Sequence, residues 1–169
     1  MRADGFFEFD GKRYEFNKEN GSLATLDWGR GVWTYDNTWY WGSGQMVLDS
    51  GDTFGFNIGY GFGNTSAASE NMLFYNGKSH KLEDITFNIP QENGNFKYTQ
   101  PWTFTSSDGR FEMEFKPIID RQAPVDLKLI CMIPHQVFGL ISGTAILDDG
   151  TEIKVKDKVV FAERVHNKW

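Results

Sequence analysis

Residues 108–116, Asp108-Gly109-Arg110-Phe111-Glu112-Met113-Glu114-Phe115-Lys116, decide the fold. Asp-Gly suits a type I′ hairpin turn, whose central residues both need φ > 0. After it, Phe111, Met113 and Phe115 share one face while Glu112, Glu114 and Lys116 share the other. That period of two describes a strand with one dry and one wet side. Asp10-Gly11, Asn76-Gly77 and Asp149-Gly150 repeat the turn chemistry between segments rich in aromatic or β-branched residues. The alternation also recurs. Phe54, Phe56, Ile58 and Tyr60 oppose Thr53, Gly55, Asn57 and Gly59, and Ile85, Phe87 and Ile89 oppose Asp84, Thr86 and Asn88. Ile153, Val155, Val159 and Phe161 oppose Glu152, Lys154, Lys156 and Lys158. Further strands are expected near 6–9, 12–16, 37–48, 70–75, 127–132 and 136–147. Only 22–26 and 65–70 offer a turn or two of helix. The pattern predicts an all-β, antiparallel β-barrel of about ten strands, because closure removes exposed edges. A β-sandwich is the architectural alternative.

At 169 residues, 40% hydrophobic and 24% charged, the chain suits a single domain over 1–169. A domain of that size buries roughly 70% of the surface its unfolded chain exposes. No apolar run approaches the ~20 residues of a membrane helix, so no membrane span is expected. The opening residues lack the apolar segment of a secretory signal, and a lone Cys131 argues against a disulfide scaffold or a cysteine metal cluster. A cytoplasmic location is the resulting expectation. With Lys+Arg 17 against Asp+Glu 23 the net charge is −6, which argues against nucleic acid as a partner. Aromatic residues make up 16% of the chain, supplying large apolar faces to strands.

Functional candidates stand where the alternation breaks. Asp157 and Glu163 share the parity of Ile153, Val155, Val159 and Phe161, so both carboxylates are expected to point inward and to need a partner or a proton. A bulge that shifts the parity is the alternative. Glu70-Asn71, ahead of Met72-Leu73-Phe74-Tyr75, reads either as an acid–base pair or as a cap on the preceding turn. Glu163, Asp157 and Glu70 are therefore the candidate catalytic acids. In Asp27-Trp28-Gly29-Arg30-Gly31-Val32-Trp33, Arg30 would orient a ligand carboxylate or lie over an indole as a plug on one barrel end. Trp39 and Trp41 share a face with Ser43, suited to a flat ligand or to core filling. Gly55, Asn57, Gly59, Gly61 and Gly63 leave one strand face bare, which implies close approach by a backbone or a ligand, or strong curvature. His80, His135 and His166 lack the spacing of zinc motifs, so no metal and no cofactor are expected, and His166 joins Glu163, Arg164 and Trp169 in a terminal cluster.

Taken in order, several stretches resemble the family catalogued as domain of unknown function 2804. They are Leu26-Asp27-Trp28-Gly29-Arg30-Gly31-Val32-Trp33, Trp39-Tyr40-Trp41-Gly42 and Phe56-Asn57-Ile58-Gly59-Tyr60-Gly61-Phe62. Glu70-Asn71, Gly77-Lys78-Ser79-His80-Lys81-Leu82 and Pro101-Trp102-Thr103-Phe104-Thr105-Ser106-Ser107-Asp108-Gly109 follow. Phe138-Gly139, Ser142-Gly143-Thr144 and Phe161-Ala162-Glu163 through Trp169 complete the series, which spans nearly the whole chain. That family is distantly similar to a lipocalin-like superfamily that includes carotenoid 1,2-hydratases and related terpenoid-handling proteins. The resemblance implies a lipocalin-like (calycin-type) barrel, and this chain looks like the carboxy-terminal half of a two-barrel architecture. No hydratase catalytic residue is carried over.

Three functions follow as expectations. The first is binding of a small hydrophobic molecule, a lipid or an isoprenoid. Trp39, Trp41, Phe56 and Tyr60 would supply apolar contact, and Arg30, Glu70, Asn71 and His166 polar anchors. The second is acid-initiated hydration, isomerisation or cyclisation of an isoprenoid or polyene, with Glu163 or Asp157 as proton donor. The third is a structural half that docks on a second barrel or dimerises, which requires an exposed apolar patch.

Overall fold

A computed structural model describes residues 1–169 and contains strands but no helix. The strands are β1 (Gly5–Phe9), β2 (Lys12–Phe16), β3 (Asp36–Val47), β4 (Thr53–Tyr60), β5 (Met72–Tyr75), β6 (Lys78–Lys81) and β7 (Ile85–Asn88). They continue as β8 (Gln91–Glu92), β9 (Asn95–Phe96), β10 (Trp102–Ser106), β11 (Phe111–Arg121), β12 (Val125–Asp126), β13 (Cys131–Ile146) and β14 (Glu152–Lys168). Ten of them form one antiparallel sheet in the order β6-β5-β4-β3-β14-β13-β11-β10-β7, with β12 paired to β13 beside that path. The pairs β1-β2 and β8-β9 are separate hairpins.

The large sheet curls into a half-barrel. β6 and β7 are consecutive in the chain yet lie at its opposite edges without pairing, so the ladder does not close. Arg110, in the turn between β10 and β11, bonds across the opening, its Nη1 donating to the Lys81 carbonyl of β6 at 2.8 Å. Asn71, 1% exposed, accepts from the Gly59 amide at 2.7 Å and donates to the Glu83 carbonyl at 3.0 Å. The Leu82 amide donates to the Asn71 carbonyl, extending the β5–β6 ladder, and the Ser107 amide to the Asp84 carbonyl, extending the β7–β10 ladder. Each end of the Asn71 amide thus bonds backbone and holds this residue in place.

The turn chemistry sorts into two kinds. Asp10 and Gly11 (φ 51° and 69°) and Asn76 and Gly77 (φ 48° and 81°) both have the double positive φ of type I′ hairpins. At Asp108-Gly109 and Asp149-Gly150 only the glycine is positive, so these hairpins turn through longer loops. The alternation holds through Phe54–Ile58 of β4, all of β7 and Phe111–Phe115 of β11, whose apolar side chains are buried, while Tyr60 is half-buried and Ile118 and Ile119 at the β11 bulge are exposed. The bare face of β4 lies against the backbone of β3: a Cβ on Gly59 would fall 2.7 Å from the Tyr40 carbonyl oxygen. Neither 22–26 nor 65–70 forms helix; Leu23 instead makes a bridge with Arg2. The segment expected as a strand at 127–132 is mostly a turn between β12 and β13.

The interior is filled. Phe54, Phe56, Phe104, Phe111, Phe115 and Trp102 are each almost wholly buried. Their rings interlock, with Phe56 5.1 Å from Phe111 and Trp102 5.3 Å from Phe115. Phe87, on the edge strand β7, reaches across to Tyr40 and Tyr60 and draws that edge inward.

Two bulges reverse the parity of the long strands. One falls in β11 between Pro117 and Ile119, opposite β13. The other falls opposite Ile141–Gly143, where Asp157 takes φ 48° and β14 gains a residue. Asp157 is therefore exposed, not inward: its amide donates to Ser142 Oγ at 2.9 Å and its carboxylate accepts from the same hydroxyl. Beyond the bulge Val160 and Ala162 enter the core and Glu163 moves to the outer face.

Candidate functional site

The sequence candidates fall on opposite faces of the sheet. Trp39, Trp41 and Glu163 lie on the outer face, whereas Phe56 and Tyr60 face inward. On the outer side Glu163 accepts from Trp39 Nε1 and Gln136 Nε2, both at 3.0 Å. It meets no arginine or lysine. Burial raises its pKa above the ordinary glutamate value, and the two N–H donors only partly oppose that shift. A second chain of bonds runs from Trp41 Nε1 to Asn57 (2.8 Å), and from the Asn57 amide to the Glu70 carboxylate (2.9 Å). Glu70 is an exposed partner of this relay and does not touch Glu163. Arg30 is exposed and lies over no indole; Gly29 and Gly31 pack on Trp33 instead. Trp33 meets Phe62, which in turn meets Trp39 edge-on at 5.1 Å. His166 bonds Thr38 Oγ1 at 2.8 Å, away from both groups. Phe56 is locked in the core.

The inner face carries a different polar set at one open end of the half-barrel. In the ladder His135 stands opposite Arg164, Arg164 opposite Tyr40, and Tyr40 opposite Tyr60. Directly paired residues project to the same side, so four strands contribute one polar rung above the aromatic core. Arg164 Nε donates to the Tyr40 hydroxyl (3.0 Å) and Nη1 to the Tyr98 hydroxyl (3.4 Å), while its guanidinium lies 4.6 Å from the Phe96 ring centre. Burial disfavours the Arg164 charge, but the tyrosine bonds outweigh it and hold its pKa above the ordinary value. Burial pushes Tyr60 up to about 12.

Phe96 and Tyr98 come from the β9 hairpin and the segment that follows it. The Tyr98 carbonyl accepts from Trp102 Nε1 at 3.0 Å, which pins the tyrosine in place. Its ring stacks on His135 at 3.7 Å, nearly parallel. His135 Nδ1 is 2.8 Å from Asp120 Oδ2, and Gln122 Nε2 donates to that same oxygen at 2.6 Å. The Asp120 side chain is only 5% exposed, and its Oδ1 has no hydrogen-bond partner. The β11 bulge is what turns Asp120 inward, because it shifts the strand so that Asp120 pairs with Val137, a core residue. These groups border a cavity of about 480 Å³ that also touches Lys97 and Thr99.

Sequence reasoning missed Asp120, His135, Tyr98 and Arg164 as a group. His135 reads in the sequence as an isolated histidine, and Asp120 lies in a stretch without alternation. The signal available was Pro117-Ile118-Ile119-Asp120, where two adjacent isoleucines break the period and mark a bulge.

Fold and site together define an all-β half-barrel with a filled interior and a ligand-sized polar–aromatic pocket at its mouth. The chain belongs to the family described as Domain of unknown function (DUF2804), whose model matches residues 1–169. Neither the curated proteins nor the solved structures contain a match to it.

Proposed function

We propose that this domain is a lipocalin-like half-barrel that binds a small, mainly hydrophobic molecule at its mouth. The observation that carries the reading is the Phe96–Tyr98–His135 wall beside the 480 Å³ cavity, with Asp120 as a buried polar anchor. The two aromatic rings of the lining supply apolar contact, and Asn95, Lys97, Thr99, Asp120 and Gln122 supply the polar groups that would fix a ligand's orientation. The filled interior favours a compact ligand over a long lipid or polyene chain threaded through the barrel. Native mass spectrometry on protein purified without detergent, followed by organic extraction, tests the reading. A retained compound lost in Tyr98→Ala supports it; a bare protein that no hydrophobic compound perturbs at Tyr98 or His135 overturns it.

A docking role has an observation of its own. Ile118, Ile119, Val125, Leu127, Leu129 and Ile130 are all exposed around β12, an apolar surface of the sort that interfaces cover. Light scattering that gives a monomer at high concentration would count against self-association through it.

A further inference from the structure

We infer that the domain carries a second binding site, on the outer face of β3–β5, for a small amphiphilic anion: a short aliphatic tail with a carboxylate head. The site is built from one rung of the ladder and a strap of chain that crosses it. In the ladder Gln45 stands opposite Gly55, and Gly55 opposite Phe74. Paired residues project to the same side, so the glycine leaves the floor at backbone level between two long side chains. Residues 22–26 pass over that floor. The Ala3 amide donates to the Ser22 carbonyl at 3.1 Å, and Arg2 bridges Leu23, which ties the strap to the start of the chain. On the sheet side Thr25 Oγ1 donates to Gln45 Oε1 at 2.6 Å. Between strap and sheet lies a cavity of about 530 Å³, in the size range of small-molecule sites.

The lining sets the chemistry of the ligand. Leu23, Ala24, Leu26 and Phe74 supply apolar surface, and Leu26 and Phe74 are still 73% and 44% exposed. A tail laid along these two removes that surface from water, the ordinary driving force for apolar binding. Arg2 is the one charged side chain on the wall, and no acidic residue lines it. The guanidinium takes part in none of the molecule's ion pairs. In a chain of net charge −6, an acid-free wall with an unpaired guanidinium selects an anion. The planar fork of the guanidinium matches a carboxylate. One cation balances the single charge of that group, whereas a phosphate dianion would lack its second.

Hexanoate and hexanol separate these contributions, since they share a tail and differ in charge at neutral pH. The readout is the shift of the Leu26 methyl and Phe74 ring resonances during titration with each probe. Hexanoate is expected to shift both at concentrations about fivefold lower than hexanol, the upper end of what an exposed ion pair contributes. Arg2→Gln should close that gap by weakening hexanoate alone, and Leu26→Ser should weaken both probes. Both substitutions fall on exposed side chains, so neither disturbs the core. Equal potency of the probes on the unaltered protein, or a gap that persists in Arg2→Gln, overturns the anionic head. Failure of hexanoate to move either resonance overturns the site. Hexanoate that moves only the Tyr98 and His135 rings does the same, and leaves binding at the mouth intact.

Discussion

Arg164 stands directly opposite His135 in the β13–β14 ladder, and both side chains project to the inner face. Residue 164 reaches that face only because the Asp157 bulge has already reversed the parity of β14. One extra residue therefore exchanges an acid for a guanidinium at the mouth, sending Glu163 outward and Arg164 inward.

Arg164 lowers the Tyr98 pKa, although burial, the larger effect, still leaves that pKa raised. Replacing the guanidinium by Arg164→Met should move Tyr98 higher still, delaying its ionisation in an alkaline spectroscopic titration. The same change strips the Tyr40 and Tyr98 hydroxyls of a charged donor and should cost about 1–3 kcal/mol in urea unfolding. A Tyr98 titration unmoved by the substitution would show that the 3.4 Å contact carries no weight.

Asp157 holds φ 48°, a conformation that glycine adopts freely and β-branched residues resist. Asp157→Gly should be close to neutral, whereas Asp157→Val should lose about 1–2 kcal/mol from the left-handed backbone alone; both variants lose the carboxylate's bond from Ser142 Oγ and keep the bond that the residue's own amide donates. Equal urea midpoints for the two variants would remove the bulge from the explanation of the register.

Much of this fold was legible in single residues. Asn76-Gly77 carries its φ requirement in its own identity, and Phe111-Glu112-Met113-Glu114-Phe115 displays its buried face without reference to the rest of the chain. Asp120 and His135 are different, because neither has a local signal of use. Their meeting depends on a bulge in β11 and on a register between strands that are not fixed by a hairpin turn. Asn71 is similar: it looks like a polar opening to a strand, and its bonds to Gly59 and Glu83 exist only once β5 has paired with β4 and β6. Parity reasoning fails beyond any bulge, since a single inserted residue reverses every later side chain.

Glu163 supplies a pH-dependent prediction. Burial raises its folded pKa above the usual 4.5, so the folded state binds this proton more tightly than the unfolded chain does. Its contribution to stability is complete below the unfolded value and is lost as pH rises through the folded one. Glu163→Gln removes that dependence. The variant should gain on the wild type as pH rises from 4.5 toward neutrality, with near-equal stability in acid. A gap between the two proteins that stays constant with pH would mean that the carboxylate ionises as freely when folded as when unfolded.

The filled interior makes the last prediction. A side chain added at Gly44 would strike Val160 and the Phe56 ring, while truncation of Phe111, which is 0% exposed, would leave a void beside Phe56. Both changes should destabilise, by opposite mechanisms. Gly44→Ala overpacks and should cost about 1–3 kcal/mol, and Phe111→Ala should cost about 3–5 kcal/mol through lost burial and a residual cavity. The two differ in a further respect. Only Phe111→Ala creates a space that a small apolar molecule could enter, so benzene should raise its melting temperature and leave that of Gly44→Ala unchanged. Stabilisation of the unaltered protein by benzene, with ring shifts at Phe56 and Phe111, would reveal an interior already open to ligands and would move the binding site from the mouth into the barrel.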